Sequence, residues 1–158
     1  MRQFKWLMFI CVLSFFVGCS AVGKMPTAID LKIRDLQPPE GKALVYVMRP
    51  TSFGSIVKMG VTANGQYIGA TGGRRYIYTV LDPGKYVFES KAENTSEVHI
   101  VLEAGKTYYF EQVVKMGILM ARNELVRLDD IEGRKKLSQC SLSNDLGKQK
   151  DTGGIDER

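Results

Sequence analysis

From Ala43 to Leu128 apolar and polar residues alternate with a period of two, the pattern of strands whose successive side chains point to opposite faces. Leu44, Tyr46 and Met48 interleave with Ala43, Val45 and Val47, so both faces of this segment are apolar. It is expected to be a central strand buried on both sides. Val57, Met59, Val61 and Ala63 alternate with Lys58, Gly60 and Thr62, which predicts a half-buried strand. Asn64-Gly65 follows, the pair best suited to a two-residue hairpin turn, and Gln66–Thr71 returns as the partner strand. Gly72-Gly73 breaks the pattern before a strand over Tyr76–Leu81, which Asp82-Pro83-Gly84 closes as a turn. Lys85–Lys91 places Tyr86 and Phe88 on one face, and the next strand places Val98, Ile100 and Leu102 on one face against Glu97, His99 and Glu103. Thr107–Val114, dense in aromatics, and Glu124–Leu128 complete the series. Short strands separated by turns predict an all-β fold, an antiparallel β-sandwich of about seven to eight strands. Parallel βαβ units are excluded because no helical crossovers separate the strands.

The flanks read differently. Asp129 followed by Glu132 resembles a helix capping box and predicts a short C-terminal helix with Ile131 and Leu137 sharing one face. Residues 141–158 are polar and are expected to form a disordered tail, because they bury too little to offset their ordering entropy. On the other side, Ser20 to Gly41 carries Pro26, Pro38 and Pro39 and reads as a tether with a span of roughly 25 Å. Within it Ile29–Leu36 fits either a helical turn or a segment docked on the domain.

At the start of the chain, Arg2 and Lys5 precede an apolar run from Trp6 to Val17, then Gly18 and Cys19. A basic head, a short apolar middle and a small residue before the break form a secretory signal. The run is shorter than the roughly 20 apolar residues of a membrane-spanning helix. Its end resembles the lipobox of bacterial lipoproteins: Val17, Gly18 and Cys19 fit, and Phe16 stands where that motif usually holds Leu. The resemblance implies cleavage after Gly18, a diacylglycerol on the Cys19 thiol and an acyl group on its new amino terminus. Two or more acyl chains, at about 0.8 kcal/mol per buried methylene, anchor a protein firmly. Ser20, rather than Asp, resembles the class sorted to the outer membrane, facing the periplasm, in a Gram-negative host. The chain therefore divides into a signal peptide (1–18), a lipidated N-terminus and tether (19–40), a β-sandwich with a short terminal helix (41–140) and a tail (141–158).

Composition narrows the chemistry. Of the 158 residues, removal of 1–18 leaves 140, enough for one domain with a sizeable core. The net charge of +5 includes Arg2 and Lys5, so the mature chain carries about +3, too mild for a nucleic-acid binder. Cys11 leaves with the signal and Cys19 takes the lipid, so Cys140 remains as a single thiol and is expected to be buried.

Four segments resemble a family of bacterial domains of unknown function, the DUF2846 group, over Gly41 to Leu137. They are Gly41-Lys42-Ala43-Leu44-Val45-Tyr46-Val47-Met48-Arg49-Pro50, Asn64-Gly65-Gln66-Tyr67-Ile68-Gly69, Asp82-Pro83-Gly84-Lys85-Tyr86 and Gly105-Lys106-Thr107-Tyr108-Tyr109. The resemblance implies a lipoprotein whose domain is similar to the PEGA-type β-sandwich. It supplies no catalytic residues, since the shared positions are turns and core.

Candidate chemistry is sparse. One histidine, His99, and one free cysteine cannot supply a structural zinc site, so no metal and no cofactor beyond the covalent lipid is expected. Gly69-Ala70-Thr71-Gly72-Gly73 lacks the Lys-Ser/Thr of a phosphate loop. Arg74 and Arg75 beside it remain candidates to meet an anion, with Tyr76 and Tyr78 as ligand contacts should they share an exposed face with Tyr109. The expected function is a non-catalytic, membrane-anchored interaction module for an envelope protein or for peptidoglycan, with added-strand pairing at an edge as one mode. The alternative is a cell-wall enzyme or small-ligand binder with its site at the strand ends. No nucleic-acid partner is expected, and the sequence sets no oligomeric state.

Overall fold

The computed structural model describes residues 27–117 and 121–147. In chain order its elements are α1 (Ala28–Arg34), β1 (Ala43–Arg49), β2 (Met59–Ala63), β3 (Gln66–Thr71), β4 (Arg75–Leu81), β5 (Gly84–Lys91), β6 (Thr95–Leu102), β7 (Thr107–Met116), β8 (Ala121–Leu128), α2 (Asp130–Leu137) and β9 (Ser141–Leu142). Two sheets face each other, one ordered β8-β7-β1-β4-β9 and the other β3-β2-β5-β6. The expected all-β sandwich is what the chain forms.

Strand β1 explains the architecture. Both of its faces are apolar and all seven residues are buried. Ala43, Val45 and Val47 join Val61, Ala63, Ile77, Phe88, Leu102 and Phe110 in the core between the sheets. Leu44, Tyr46 and Met48 point the other way and form a second core with Tyr76, Tyr109, Leu128, Cys140, Ile33 of α1 and Leu137 of α2. The described residues thus form three layers: two helices, the five-stranded sheet and the four-stranded sheet, whose outer face no described element covers. Asn64 and Gly65 both take positive φ (48° and 78°), as the hairpin between β2 and β3 requires.

Three expectations change. Not every ladder is antiparallel, for β1 pairs parallel with β7 and β4 pairs parallel with β9. A parallel pair needs a long crossover, but that crossover need not be a helix: here it runs through all four strands of the second sheet, with β4 returning to the first sheet on the way. The segment left open in the tether is α1, capped by Thr27 and docked on the second core. Residues 141–147 of the expected tail also pack on the domain. Ser141 and Leu142 extend the sheet beside β4, the Ser143 hydroxyl donates to the Ala70 carbonyl (2.7 Å), and Leu146 bridges Gly69. These residues gain order by pairing backbone and hydroxyl groups and by packing Leu146 and Leu142 against the two cores. Residues 148–158 lie outside the described residues, as do 1–18 and Cys19.

Helix α2 is capped by the Asp129 side chain, which accepts from the Glu132 N–H (2.8 Å). Its buried face is not the expected one. Gly133 and Leu137, four apart, face the sheet, and Ile131 is 84% exposed. At position 133 only a glycine fits, because a Cβ would overlap the Tyr109 ring.

Candidate functional site

The most unusual side chain lies where β1 ends. Arg49 continues the inward parity of Ala43, Val45 and Val47 and is fully buried. Its guanidinium donates to the carbonyls of Val57 (2.8 Å), Gly54 (2.5 Å) and Phe53 (3.3 Å), and its Nε has no partner. No carboxylate among the described residues pairs with it. Desolvation lowers its pKa, yet a guanidinium remains charged. Arg49 therefore acts as a staple that gathers the loop joining β1 to β2. Gly54 takes φ +62° in that loop, and a Cβ there would lie 3.7 Å from Ala121 Cβ. Ala121 pairs with Met116 across the β7–β8 hairpin, so loop and hairpin are neighbours. Together they carry three exposed apolar side chains: Phe53 (52% exposed), Ile56 (97%) and Met116 (82%).

A buried polar layer lies beneath. The Thr71 hydroxyl donates to Gln112 Oε1, and Gln112 Nε2 donates to Ser90 Oγ (2.7 Å). Asn123 Nδ2 donates to the carbonyls of Ser90 and Asn94 (3.3 Å each), while Asn94 returns bonds to the Asn123 backbone. Hydroxyls and amides converge here without a general base, and they are bonded to one another instead of facing a cleft. Arg49, Gln112 and Asn123 escaped the sequence reading. The available signal was parity: Arg49 and Gln112 fall on inward positions of otherwise apolar strands.

The four proposed contact residues do not share an exposed face. Arg74 is exposed in the β3–β4 turn at φ 54°, with its N–H donating to the Thr51 carbonyl. Arg75 donates to the Leu142 carbonyl (3.0 Å). Tyr76 is buried, and its hydroxyl donates to Asp30 Oδ1 (2.6 Å) under α1. Tyr78 is half-buried, with its ring 6.4 Å from Tyr46, on which Tyr109 stacks at 5.5 Å. These aromatics are core to the helix-covered face, since α1, α2 and Cys140 lie over them. Burial and the neighbouring Asp30 carboxylate push the Tyr76 hydroxyl pKa up, and burial does the same to Tyr46. Asp30 is the residue that joins α1 to the sheet: it binds Tyr76, Arg34 (2.7 Å) and the Leu142 N–H (3.3 Å). Cys140 is buried as expected, and burial pushes its thiol up to about 12. His99 is exposed, 3.8 Å from Glu97. Among the described residues no group of three or more His, Cys, Asp or Glu is placed to hold a metal. Gly18 and Cys19 lie outside the described residues.

At the opposite end a shallow open cavity of about 510 Å³ is lined by Thr107, Tyr108, Arg127, Leu128, Asp129 and Asp130. Arg127 lies 5.4 Å over the Tyr108 ring, the Tyr108 hydroxyl accepts from the Glu103 N–H (2.9 Å), and Asp129 is committed to capping α2. Two sheet edges, β8 and β3, are partly occupied. On β8 the amides of Asn123 and Leu125 donate to Asn94 and Ser96 side chains. On β3 the Ala70 N–H donates to the Asp145 carbonyl and the Ile68 carbonyl accepts from Gly147. Added-strand pairing has little free backbone to use there.

What remains open is the outer face of the four-stranded sheet. It carries Lys85, Val87, Glu89, Lys91, Glu97 and His99, with Tyr67 over Gly60. Tyr67 donates to Asp145 (2.9 Å), and desolvation with that bond pushes its hydroxyl up to about 12.

A protein described as uncharacterized from Haemophilus influenzae is 23% identical over 107 residues, 67% of this chain and 64% of that protein. The chain thus spans somewhat less than two thirds of the length of this curated relative. The model of the family described as protein of unknown function DUF2846 matches residues 39–124, from the last turn before β1 into β8, and the chain belongs to that family.

Proposed function

We propose that this chain is a lipid-anchored protein of the bacterial envelope, acylated at Cys19, whose β-sandwich is a non-catalytic interaction module for an envelope protein or cell-wall polymer. The observation that carries the reading is an asymmetry. One sheet face is covered by α1 and α2, the β8 and β3 edges are partly occupied, the convergent polar groups are buried and largely bonded to one another, and no described element covers the other sheet face. That face mixes charge with Val87, Tyr67 and Val101, a composition suited to a polar partner surface. The signal ending at Gly18-Cys19 supports the anchor.

A photoreactive side chain at Val87 or His99, introduced into the full chain in cells, tests the reading. The expected result is a discrete crosslink to one envelope protein or to the cell wall, absent when the probe replaces Ile131 on α2. Equal labelling from both faces, or none from the sheet face, contradicts it. The open cavity at the Thr107–Asp130 end favours a second reading, a small-ligand site at the strand ends, and a silent sheet face would direct the search there.

A further inference from the structure

We propose that the end of the sandwich formed by the β1–β2 loop and the β7–β8 hairpin seats on the surface of the bilayer, with Phe53, Ile56 and Met116 in the headgroup region and Arg74 and Arg122 among anionic headgroups. The proposal rests on the lipid-anchored reading and adds to it the face that meets the lipid.

Three observations converge. The first is the apolar tip. Large apolar side chains standing free in water at one end of a domain mark a contact with a partner or a membrane. Ile56 and Met116 are almost wholly exposed, and Phe53 half so. They are held in place rather than left loose. Arg49 binds three carbonyls of the Phe53–Val57 segment from below, and Gly54 abuts Ala121. Strand β7 runs five residues past its Met48–Glu111 pairing, which carries Met116 roughly 16 Å beyond that level of the sheet.

The second is where the chain toward Cys19 leaves the domain. Asp30, in the first turn of α1, meets Tyr76 and the Leu142 N–H, both beside the start of β4 at the Arg49 end. Ile33, one turn later, meets the Tyr46 hydroxyl, two residues further from that end. Helix α1 therefore runs away from the loop end, and Thr27 at its start faces it. Eight residue steps separate Cys19 from Thr27, a reach of at most about 28 Å. An anchor at Cys19 keeps the α1 start, and with it the loop end, close to the membrane.

The third is charge. This end carries Arg74 in the β3–β4 turn and Arg122 near the start of β8, both exposed and without an ion pair among the described residues. Lys58 and Lys115 stand nearby, paired with Asp145 (3.2 Å) and Glu124 (2.5 Å). Glu93 is the acid these loops contribute, and its N–H is bonded to the Ala121 carbonyl. Apolar side chains ringed by cations match a surface of anionic lipid.

The test uses a tryptophan reporter. The chain has one tryptophan, Trp6, within the signal, so Ile56→Trp in a Trp6→Phe background gives a single emitter. The full chain is purified from cells fed a labelled fatty acid and placed in vesicles of phosphatidylethanolamine and phosphatidylglycerol with brominated acyl chains. We expect blue-shifted, strongly quenched emission from position 56. Val101→Trp, at the far end of the sandwich, should stay unquenched, and Arg74→Glu with Arg122→Glu should weaken the quenching at 56. Acylated protein whose position 56 is as unquenched as position 101 overturns the proposal and leaves the anchor standing; the tip then serves a protein partner. Protein without label overturns the anchor, and quenching at 56 on adding it to the same vesicles then decides the tip alone: quenching supports docking and its absence refutes it.

Discussion

A buried guanidinium without a carboxylate is costly unless hydrogen bonds replace the water it loses. Arg49 solves this with backbone carbonyls, and its planar fork suits them because it presents several donors in fixed geometry. The same bonds define the loop that carries Phe53 and Ile56, so one side chain couples the core to the exposed tip. Lysine keeps the charge but not the fork. Arg49→Lys should cost about 2–3 kcal/mol in urea denaturation, the range for lost bonds to a charged group. It should also speed amide exchange at Ser55 and Val57, whose N–H groups close turns to Ser52 and Gly54. Unchanged stability and exchange would remove Arg49 from this role. In sequence the inward parity of Arg49 was visible, but the carbonyls that receive it lie in a loop whose path no periodicity encodes.

At the scale of elements, helix α1 has seven residues and is too short to persist alone. Asp30 holds it down through Tyr76, Arg34 and Leu142. Tyr76→Phe removes one of these bonds and leaves a buried carboxylate oxygen short of a donor. We expect a loss of about 1–3 kcal/mol and faster exchange in α1, with the β1–β7 ladder unaffected. Equal loosening of both would mean that α1 and the sheet open as one unit. The strands were legible because alternation and turn residues are local: Asn64-Gly65 and Asp82-Pro83-Gly84 announce their hairpins by themselves. Helix α1, strand β9 and the parallel β1–β7 pairing were not, because each depends on partners far along the chain. Asp30 needs Tyr76, Leu142 needs Tyr76, and β1 needs a strand some sixty residues on, placed beside it only after the second sheet is built. Tyr76 and Tyr78 illustrate the same limit. Their strand was readable and tyrosines there fit a core, yet nothing nearby in sequence announces that α1 covers their face.

For the whole molecule, burial favours the protonated forms of Tyr46, Tyr76 and Cys140 in the folded state. Raised pKa values on neutral acids stabilise the fold fully below their unfolded values, about 8.5 for the thiol and 10 for tyrosine. That stability is lost as pH climbs past those values toward the folded ones, about 12 for Cys140. The melting temperature should hold steady from neutral pH to about 8.5, then fall steeply above about 10, with tyrosinate absorbance rising in the same step. Tyrosinate appearing well before unfolding would show that the second core is open to water. The second core fixes α1, α1 sets where the chain toward Cys19 departs, and with the proposed anchor that departure would decide which end of the sandwich lies nearest the membrane. The membrane side of this account depends on the anchor. The decisive measurement is therefore fatty-acid labelling of cells expressing the full chain beside its Cys19→Ala variant, read together with membrane fractionation. The account predicts a labelled, membrane-bound wild type and an unlabelled variant that keeps its signal. A wild type without label, or a Cys19→Ala variant labelled as strongly, would contradict it.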